Sequence, residues 1–496
     1  YERLREVGRE YERQNPGFFE RCVAEIRPQD VCVMLYTSGT TGKPKGVCHT
    51  HAGFIAAARG DVEFDGFNPS DEILSYLPMA WVGDHLFSYA QAMVAGFTVN
   101  CPESPETVMT DLREIGPTYY FAPPRVFENL LTTVMIRIDD AGRIKRHLFH
   151  YFMGVARRCG AQIMDGKPVS LSDRLLYWLG DLLIYGPLRN VLGMSRIRVA
   201  YTGGAAIGPD LYRFYRSIGI NLKQLYGQTE TSVYVCKQPT GAAKLDSVGR
   251  PLPGVEIKIA DNGEVLVKTP GMLKEYYKRP DATEESISPD GYFLTGDAGF
   301  LDADGDLKII DRAKDVGKFA DGSLFAPQFL ENKLKFFPYI KEAVCFGDKC
   351  QMACAFVNID IQAVGNWAEK RNLPYSGYID LAGKPEVYGL IQQCVEQVNA
   401  DLAKEPHLAG SQIHRFLVLH KELDPDEDEL TRTRKVRRSF VAQKYAVLVD
   451  ALYGGKTSQF IRTQVKFEDG RTGNIEADVK IRDAATYPAA AQRISA

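Results

Sequence analysis

The chain has 496 residues, 45% of them hydrophobic, which is enough for large cores and, by length alone, roughly two to four domains. Sixty basic and 63 acidic residues leave a net charge of −3, so nothing in the composition points to a nucleic-acid partner. Ten scattered cysteines with no close-spaced framework favour a reducing, cytoplasmic setting over secretion. Cys350 and Cys354 lie near each other but lack the further ligands that zinc needs, and are expected as buried thiols.

In chain order, Tyr1 to Arg13 reads as a charged helix ending near Asn15-Pro16-Gly17. Val31 to Tyr36 reads as a buried strand, and it leads into Thr37-Ser38-Gly39-Thr40-Thr41-Gly42-Lys43-Pro44-Lys45-Gly46. Glycines there let the backbone wrap an anion, while hydroxyls and lysines add donors and charge, which suits a polyphosphate. It is not a Walker A loop, because Pro44 stands where the second glycine would fall. From Val31 to about Leu225 strand-like and helical patterns alternate, as in Val199 to Tyr201, a glycine turn, then a helix over Pro209 to Ser217, and this argues for α/β layers. Within that stretch Leu148, Tyr151, Phe152 and Val155 recur at helical spacing among Arg143, Lys145, Arg146, Arg157 and Arg158. That pattern suits either a basic amphipathic helix on an anionic membrane or a surface helix packed on the core. The most apolar run, Leu175 to Leu188, carries Asp181, follows Arg174 and is shorter than the ~20 residues of a spanning helix; no signal peptide is visible.

Alternation of apolar and polar residues over Val255 to Lys268, broken by Asp261-Asn262-Gly263, reads as a β-hairpin opening a smaller β-rich subdomain. Leu294-Thr-Gly-Asp297 ends a short strand-like stretch with an acid, and Asp311-Arg-Ala-Lys-Asp315 is a charged break after Leu307 to Ile310. A compact α+β segment runs on to about Gly455. A final hairpin is expected around Asp469-Gly470, and the alanine-rich tail from Tyr487 to Ala496 is expected to be disordered.

Taken in order, the Thr37–Gly46 loop, Tyr226-Gly-Gln-Thr-Glu230, Leu294–Asp297 and Asp311–Asp315 resemble the AMP-forming adenylating superfamily. That superfamily includes acyl-CoA synthetases, peptide-synthetase adenylation domains and firefly-type luciferases, and the resemblance covers about Val31 to Tyr453. It implies an α/β fold: a large multi-subdomain domain (1–311) with a β-rich subdomain, a small mobile α+β domain (312–455), and an extension (456–496) without a family counterpart. Family members carry on the order of 100 or more residues before the loop, so the large domain is expected to lack its first part.

The resemblance also implies the chemistry. A carboxylate attacks ATP to give acyl-AMP and pyrophosphate, and CoA then displaces AMP. By position, Thr37, Ser38, Gly39, Thr40, Thr41, Gly42 and Lys45 would hold the phosphates, and Thr37 with Glu230 would bind Mg²⁺. Gly203, Gly204 and Ala205 would line the adenine or acyl group, Gln224, Tyr226 and Gly227 the base, and Thr229 the α-phosphate. Asp297 would bind the ribose, with Arg312 and Lys314 at the hinge, while Lys318 would serve thioester formation and Lys435 would neutralise the α-phosphate. Trp81 falls beside the acyl group. Read without the resemblance, Tyr226 is a core tyrosine and Leu430 to Arg438 a solvated basic face.

The insertion of about seventy helical residues after Phe127 is most similar to long-chain fatty acyl-CoA synthetases. An aryl, medium-chain or steroid-side-chain ligase, or an inactive nucleotide-binding fragment, are the alternatives. Expected partners are the small-molecule substrates; peripheral contact with the inner face of the membrane and a homodimer stay open. Arg432 replaces a proline in the lysine motif, Lys274-Glu275 replaces a glycine-led turn, and Gly317 replaces an isoleucine, which is expected to loosen the loop carrying Lys318.

Overall fold

A computed structural model of the protein describes residues 1–37, 44–204, 207–404, 408–424, 427–430, 436–466 and 472–489. The chain forms two compact units. The first comprises Tyr1–Ile259, Val265–Thr295 and Leu301–Lys308, the second Ala260–Glu264, Gly296–Phe300 and Ile309–Ala496.

The first unit is built on a seven-stranded sheet, ordered Thr98–Asn100, Glu72–Leu74, Tyr119–Phe121, Val199–Thr202, Leu222–Tyr226, Cys236–Lys237 and Arg250–Pro251. The first five strands run parallel, and Cys236–Lys237 pairs antiparallel with both of its neighbours. Parallel strands are covered on both faces, and neighbouring residues show it. Ile73, Tyr119, Val199 and Tyr201 pack in one buried cluster, with helix His51–Asp65 and the π-helical turn Asp84–Ala90. Leu74, Tyr120 and Ala200 point into the other, beneath helices Pro124–Asp139, Arg143–Met164 and Pro209–Ser217. The last of these spans the residues the sequence implies.

In helix Arg143–Met164 the core side is Phe149, Phe152, Met153, Val155 and Ala156, while Leu148 and Tyr151 stay exposed. Two of the four apolar residues of the amphipathic pattern are therefore used in packing on the core. Among the described residues no helix is long and apolar enough to cross a membrane.

A second sheet pairs Val31–Thr37 with Lys45–Thr50 and the latter with Glu275–Tyr276, all antiparallel. Val31–Thr37 was expected to be buried and is not. It lies at the sheet edge, and only Leu35 is fully covered. An apolar run specifies a strand without specifying its place in the sheet. The expected hairpin forms from Glu256–Ile259 and Glu264–Lys268. Asp297 does not end its strand, which continues over Phe293–Leu301; Asp311 and Arg312 likewise remain inside Leu307–Arg312.

The second unit holds a five-stranded sheet ordered Ile340–Phe346, Ala353–Ile359, Ile413–Val418, Thr472–Asp483 and Ser458–Lys466. Ala343, Cys345, Ala355 and Val357 face helices Pro327–Lys335 and Pro385–Leu402, whereas Val344, Phe346, Cys354 and Phe356 face Ala446–Tyr453. The hairpin assigned by sequence to a separate extension belongs to this sheet, with Phe416 opposite Arg482 and Leu417 opposite Ile481. At the tail, the Tyr487 amide donates to Gln412, and residues 490–496 lie outside the described residues. Cys354 is buried and Cys350 half-buried.

Candidate active site

In the first unit, pairing of Thr37 with Lys45 sets both at the mouth of the glycine-rich loop. Ser38, Gly39, Thr40, Thr41 and Gly42 lie outside the described residues, as do Ala205 and Lys435. Lys45 Nζ sits 4.4 Å from the centroid of the Tyr276 ring, a cation–π contact. The Tyr276 hydroxyl in turn donates to Glu230 Oε1 at 2.9 Å. Burial and the adjacent Glu230 carboxylate push that hydroxyl well above its ordinary pKa, so it stays a donor. Lys45, Tyr276 and Glu230 form one connected array. Tyr276 had no signal in local spacing, being 46 residues from Glu230.

Glu230 rides on the 3₁₀ turn Thr229–Thr231, capped at its start by Gln228 and Thr231. Two long-range bonds fix the turn. His49 Nε2 lies 2.7 Å from the Thr229 carbonyl, and the Leu273 amide donates to the Glu230 carbonyl at 2.7 Å. Burial lowers the His49 pKa to about 4, so the ring is neutral and its Nε2–H can donate to that carbonyl. Ser232 and Val233 then take left-handed backbone angles, φ 52° and 56°, which turn the chain sharply after the glutamate. His49 lies on strand Lys45–Thr50, so that strand and the glutamate turn are joined through one side chain.

Gly203 and Gly204 follow strand Val199–Thr202. Gly204 has φ 82°, which only glycine adopts cheaply, and a Cβ on Gly203 would sit 2.7 Å from Leu225. A Cβ on Gly227 would meet Val233 backbone at 2.5 Å. Tyr226 ends strand Leu222–Tyr226 half-buried. Gln224 donates through its Nε2 to the carbonyls of Leu245 (2.9 Å) and Ser247 (3.1 Å).

A cavity of about 830 Å³ opens beyond the carboxyl ends of strands Glu72–Leu74 and Thr98–Asn100, lined by Tyr76, Leu77, Cys101, Val126, Leu130 and Val134 among others. That is the end of an α/β sheet at which ligands bind. Trp81, half-exposed, lies four residues after Leu77 and does not line this cavity. Elsewhere in the unit Asp302, Asp304 and Asp306 converge in a metal-like cluster, but Lys244 Nζ stands 2.7 Å from each and supplies the cation.

In the second unit Asp297 and Arg312 come together, Oδ1 to Nη1 at 2.8 Å, with Asp297 buried and Arg312 exposed. Lys314 is exposed on the turn Ala313–Asp315. Lys318 is exposed too, on a two-residue strand paired with Leu324–Phe325; its amide donates to Asp348 Oδ1 at 3.1 Å. A Cβ on Gly317 would fall 2.5 Å from the Asp348 carboxylate, so glycine is what lets that carboxylate approach.

The lysine motif is closed at its base by a bridge between Leu430 and Val436 and by the Arg437 amide donating to the Glu429 carbonyl at 2.9 Å. Beneath it Glu429 is fully buried, accepting from Lys421 (2.9 Å) and Tyr445 (2.6 Å) and paired with Lys444 at 2.7 Å. Arg438 is not part of a solvated face, for it turns inward to bind both oxygens of buried Glu331.

A glycine-rich loop, a carboxylate turn and a lysine motif on α/β units define a nucleotide-activating class, and comparison places the chain within it. The AMP-binding enzyme family profile matches residues 3–277, and the chain belongs to that family. It is 32% identical to the Mycobacterium tuberculosis protein fadD11 over 88% of this chain and 76% of that one. To the long-chain-fatty-acid–CoA ligase FadD15 of the same organism it is 32% identical over 91% of this chain and 74% of that one. In fold it is similar to the crystal structure of apo MatB from Rhodopseudomonas palustris, with a TM-score of 0.56 at 18% identity over 85% of this chain and 69% of that one.

Proposed function

We propose that the protein is an AMP-forming long-chain fatty acid–CoA ligase that uses ATP, Mg²⁺ and CoA. The observation that carries this reading is the Lys45–Tyr276–Glu230 array at the mouth of the glycine-rich loop, in a chain akin to fatty-acid–CoA ligases along most of its length. It sets a phosphate-binding cation beside a carboxylate whose Oε1 is already fixed. Carboxylate and hydroxyl oxygens are the hard donors that Mg²⁺ takes, so Glu230 and Thr37 fit it. When bound, it would offset charge on the phosphates.

In the first half-reaction a carboxylate oxygen of the acid bonds to the α-phosphorus of ATP, the α–β anhydride bond breaks, and pyrophosphate leaves. Lys45 and the loop stabilise the departing charge, Lys435 neutralises the α-phosphate, Tyr226 and the Gly203–Gly204 backbone seat the base, and Asp297, oriented by Arg312, takes the ribose. In the second the CoA sulfur attacks the acyl carbon, the bond to AMP breaks, and Lys318 serves this step. The cavity of about 830 Å³ lies in the upper part of the ~300–1,000 Å³ range of small-molecule sites and would take the acyl tail.

Mass spectrometry of a reaction with palmitate, ATP, Mg²⁺ and CoA tests this. Palmitoyl-CoA and AMP in equal amounts are expected, whereas ADP as the nucleotide product, or AMP without any acyl adenylate or thioester, would contradict it.

A further inference from the structure

The large cavity is a channel with two unlike ends. Ser75, Tyr76 and Cys101, which directly follow strands Glu72–Leu74 and Thr98–Asn100, form the near end. Strand Val199–Thr202, which leads into Gly203 and Gly204, lies two places from Glu72–Leu74 in the sheet, about 10 Å at the usual strand spacing. The near end therefore opens on the side of the residues assigned to the nucleotide. From there the cavity follows helix Pro124–Asp139 along Val126, Asn129, Leu130, Thr133, Val134 and Arg137. Alternating steps of three residues and one place these side chains on one face, and from Val126 to Arg137 the helix rises about 16 Å. Helix Val108–Ile115 contributes Val108 at its start and Arg113 near its end, shortly before strand Tyr119–Phe121 begins. Arg113 and Arg137 therefore mark the far end.

Chemistry changes along the channel. Leu130 and Val134, at 6% and 5% exposure, line its floor beside Val108 and Leu192, which suits an alkyl chain. The far end is cationic. Arg113 Nε donates to the Met109 carbonyl at 3.2 Å, which leaves both of its Nη nitrogens without a partner among the described residues. Arg137 has no hydrogen bond or ion pair among them. Glu103, the only carboxylate among the described lining residues, stands at the near end, just past strand Thr98–Asn100. A terminal methyl group lodged at the far end would strip water from unpaired guanidinium groups and return no bond. A carboxylate there would instead meet planar donors that can bind both of its oxygens.

We propose that Arg113 and Arg137 select the acid by its far end, and that the preferred substrate is a long-chain α,ω-dicarboxylic acid. One carboxylate is adenylated beyond the near end, the alkyl chain lies along Leu130 and Val134, and the second carboxylate pairs with the arginines. The bonds that form and break are those of the two half-reactions already given. This names the substrate class of the ligase reading and rests on it.

Pyrophosphate release with hexadecanedioate, its monomethyl ester and palmitate, at equal ATP, Mg²⁺ and CoA, tests the claim. Hexadecanedioate should have the highest kcat/KM, about tenfold above palmitate, the scale of one charged hydrogen bond. The ester has the same carbon chain but one charge fewer, and should fall back to the palmitate level. Arg113→Met/Arg137→Met should reverse the order of hexadecanedioate and palmitate, because the second carboxylate then enters the cavity unpaired. Should that variant misfold, the ester comparison in the wild-type chain still decides. Palmitate turned over with hexadecanedioate no better, an ester as good as the diacid, or a diacid preference that survives loss of both arginines would overturn the proposal and leave the ligase reading standing. No release with any of the three acids would remove the ligase reading, and this proposal with it.

Discussion

Tyr276 holds no atom that reacts, yet it is the piece through which Lys45 and Glu230 are set relative to each other. Phenylalanine at this position keeps the ring under the ammonium and removes only the bond to the carboxylate. A hydrogen bond to a charged group contributes about 1.5–3 kcal/mol, so Tyr276→Phe is expected to cut kcat/KM for adenylation by at least about tenfold with little change in thermal midpoint. Titration of Mg²⁺-dependent ATP binding by calorimetry should show the same loss without turnover, and an unchanged titration would remove Tyr276 from the site. Lys435→Ala is expected to cost more, about 10²–10³ in adenylation, the scale set by loss of one preorganised charge stabiliser. Pre-steady-state pyrophosphate release measures it, and near-wild-type release would displace Lys435 from the role assigned to it.

Elements show how much could be read ahead of the structure. Helix Pro209–Ser217 and the hairpin of Glu256–Ile259 with Glu264–Lys268 follow from local periodicity and turn residues, and form where the sequence implies. The contacts that shape the site do not follow in that way. His49 meets Thr229 across 180 residues, and Gln224 is spent on a loop carbonyl 21 residues on. Spacing rules see neighbours on one helix or strand, so such pairs carry no sequence signal.

Gly317, read as slack, also answers a close approach. Gly317→Ala is therefore expected to destabilise the second unit by about 1–3 kcal/mol as Asp348 is pushed aside. Urea denaturation measures this, and a neutral result would mean the carboxylate moves freely. In the same unit buried His420 bonds Thr463 on the last hairpin, and burial, with Lys421 nearby, lowers its pKa to about 4. Its neutral form is the folded one. Below the ordinary value near 6.5 the unfolded chain takes up the proton first, so stability should fall from about pH 6.5 and level off below about 4. The loss is about 3–4 kcal/mol in the limit. His420→Gln should flatten that part of the pH–stability curve, and a curve unchanged by the substitution would contradict the assignment.

At the scale of the whole molecule, the family was legible because its motifs are short, ordered and chemically specific, while the acid it activates is not written in any of them. On the proposed reading, chain-length preference follows from the shape of the cavity, whose lining residues Tyr76, Val126, Leu130 and their neighbours come from separate elements. It follows that the most direct test of the account varies the acid. Pyrophosphate release should be measured across straight-chain acids from acetate to stearate, with benzoate beside them, in the presence of ATP, Mg²⁺ and CoA. The account predicts release that peaks between dodecanoate and stearate and collapses in Lys435→Ala. A peak at acetate or benzoate, or ATP binding with no release on any acid, would contradict it.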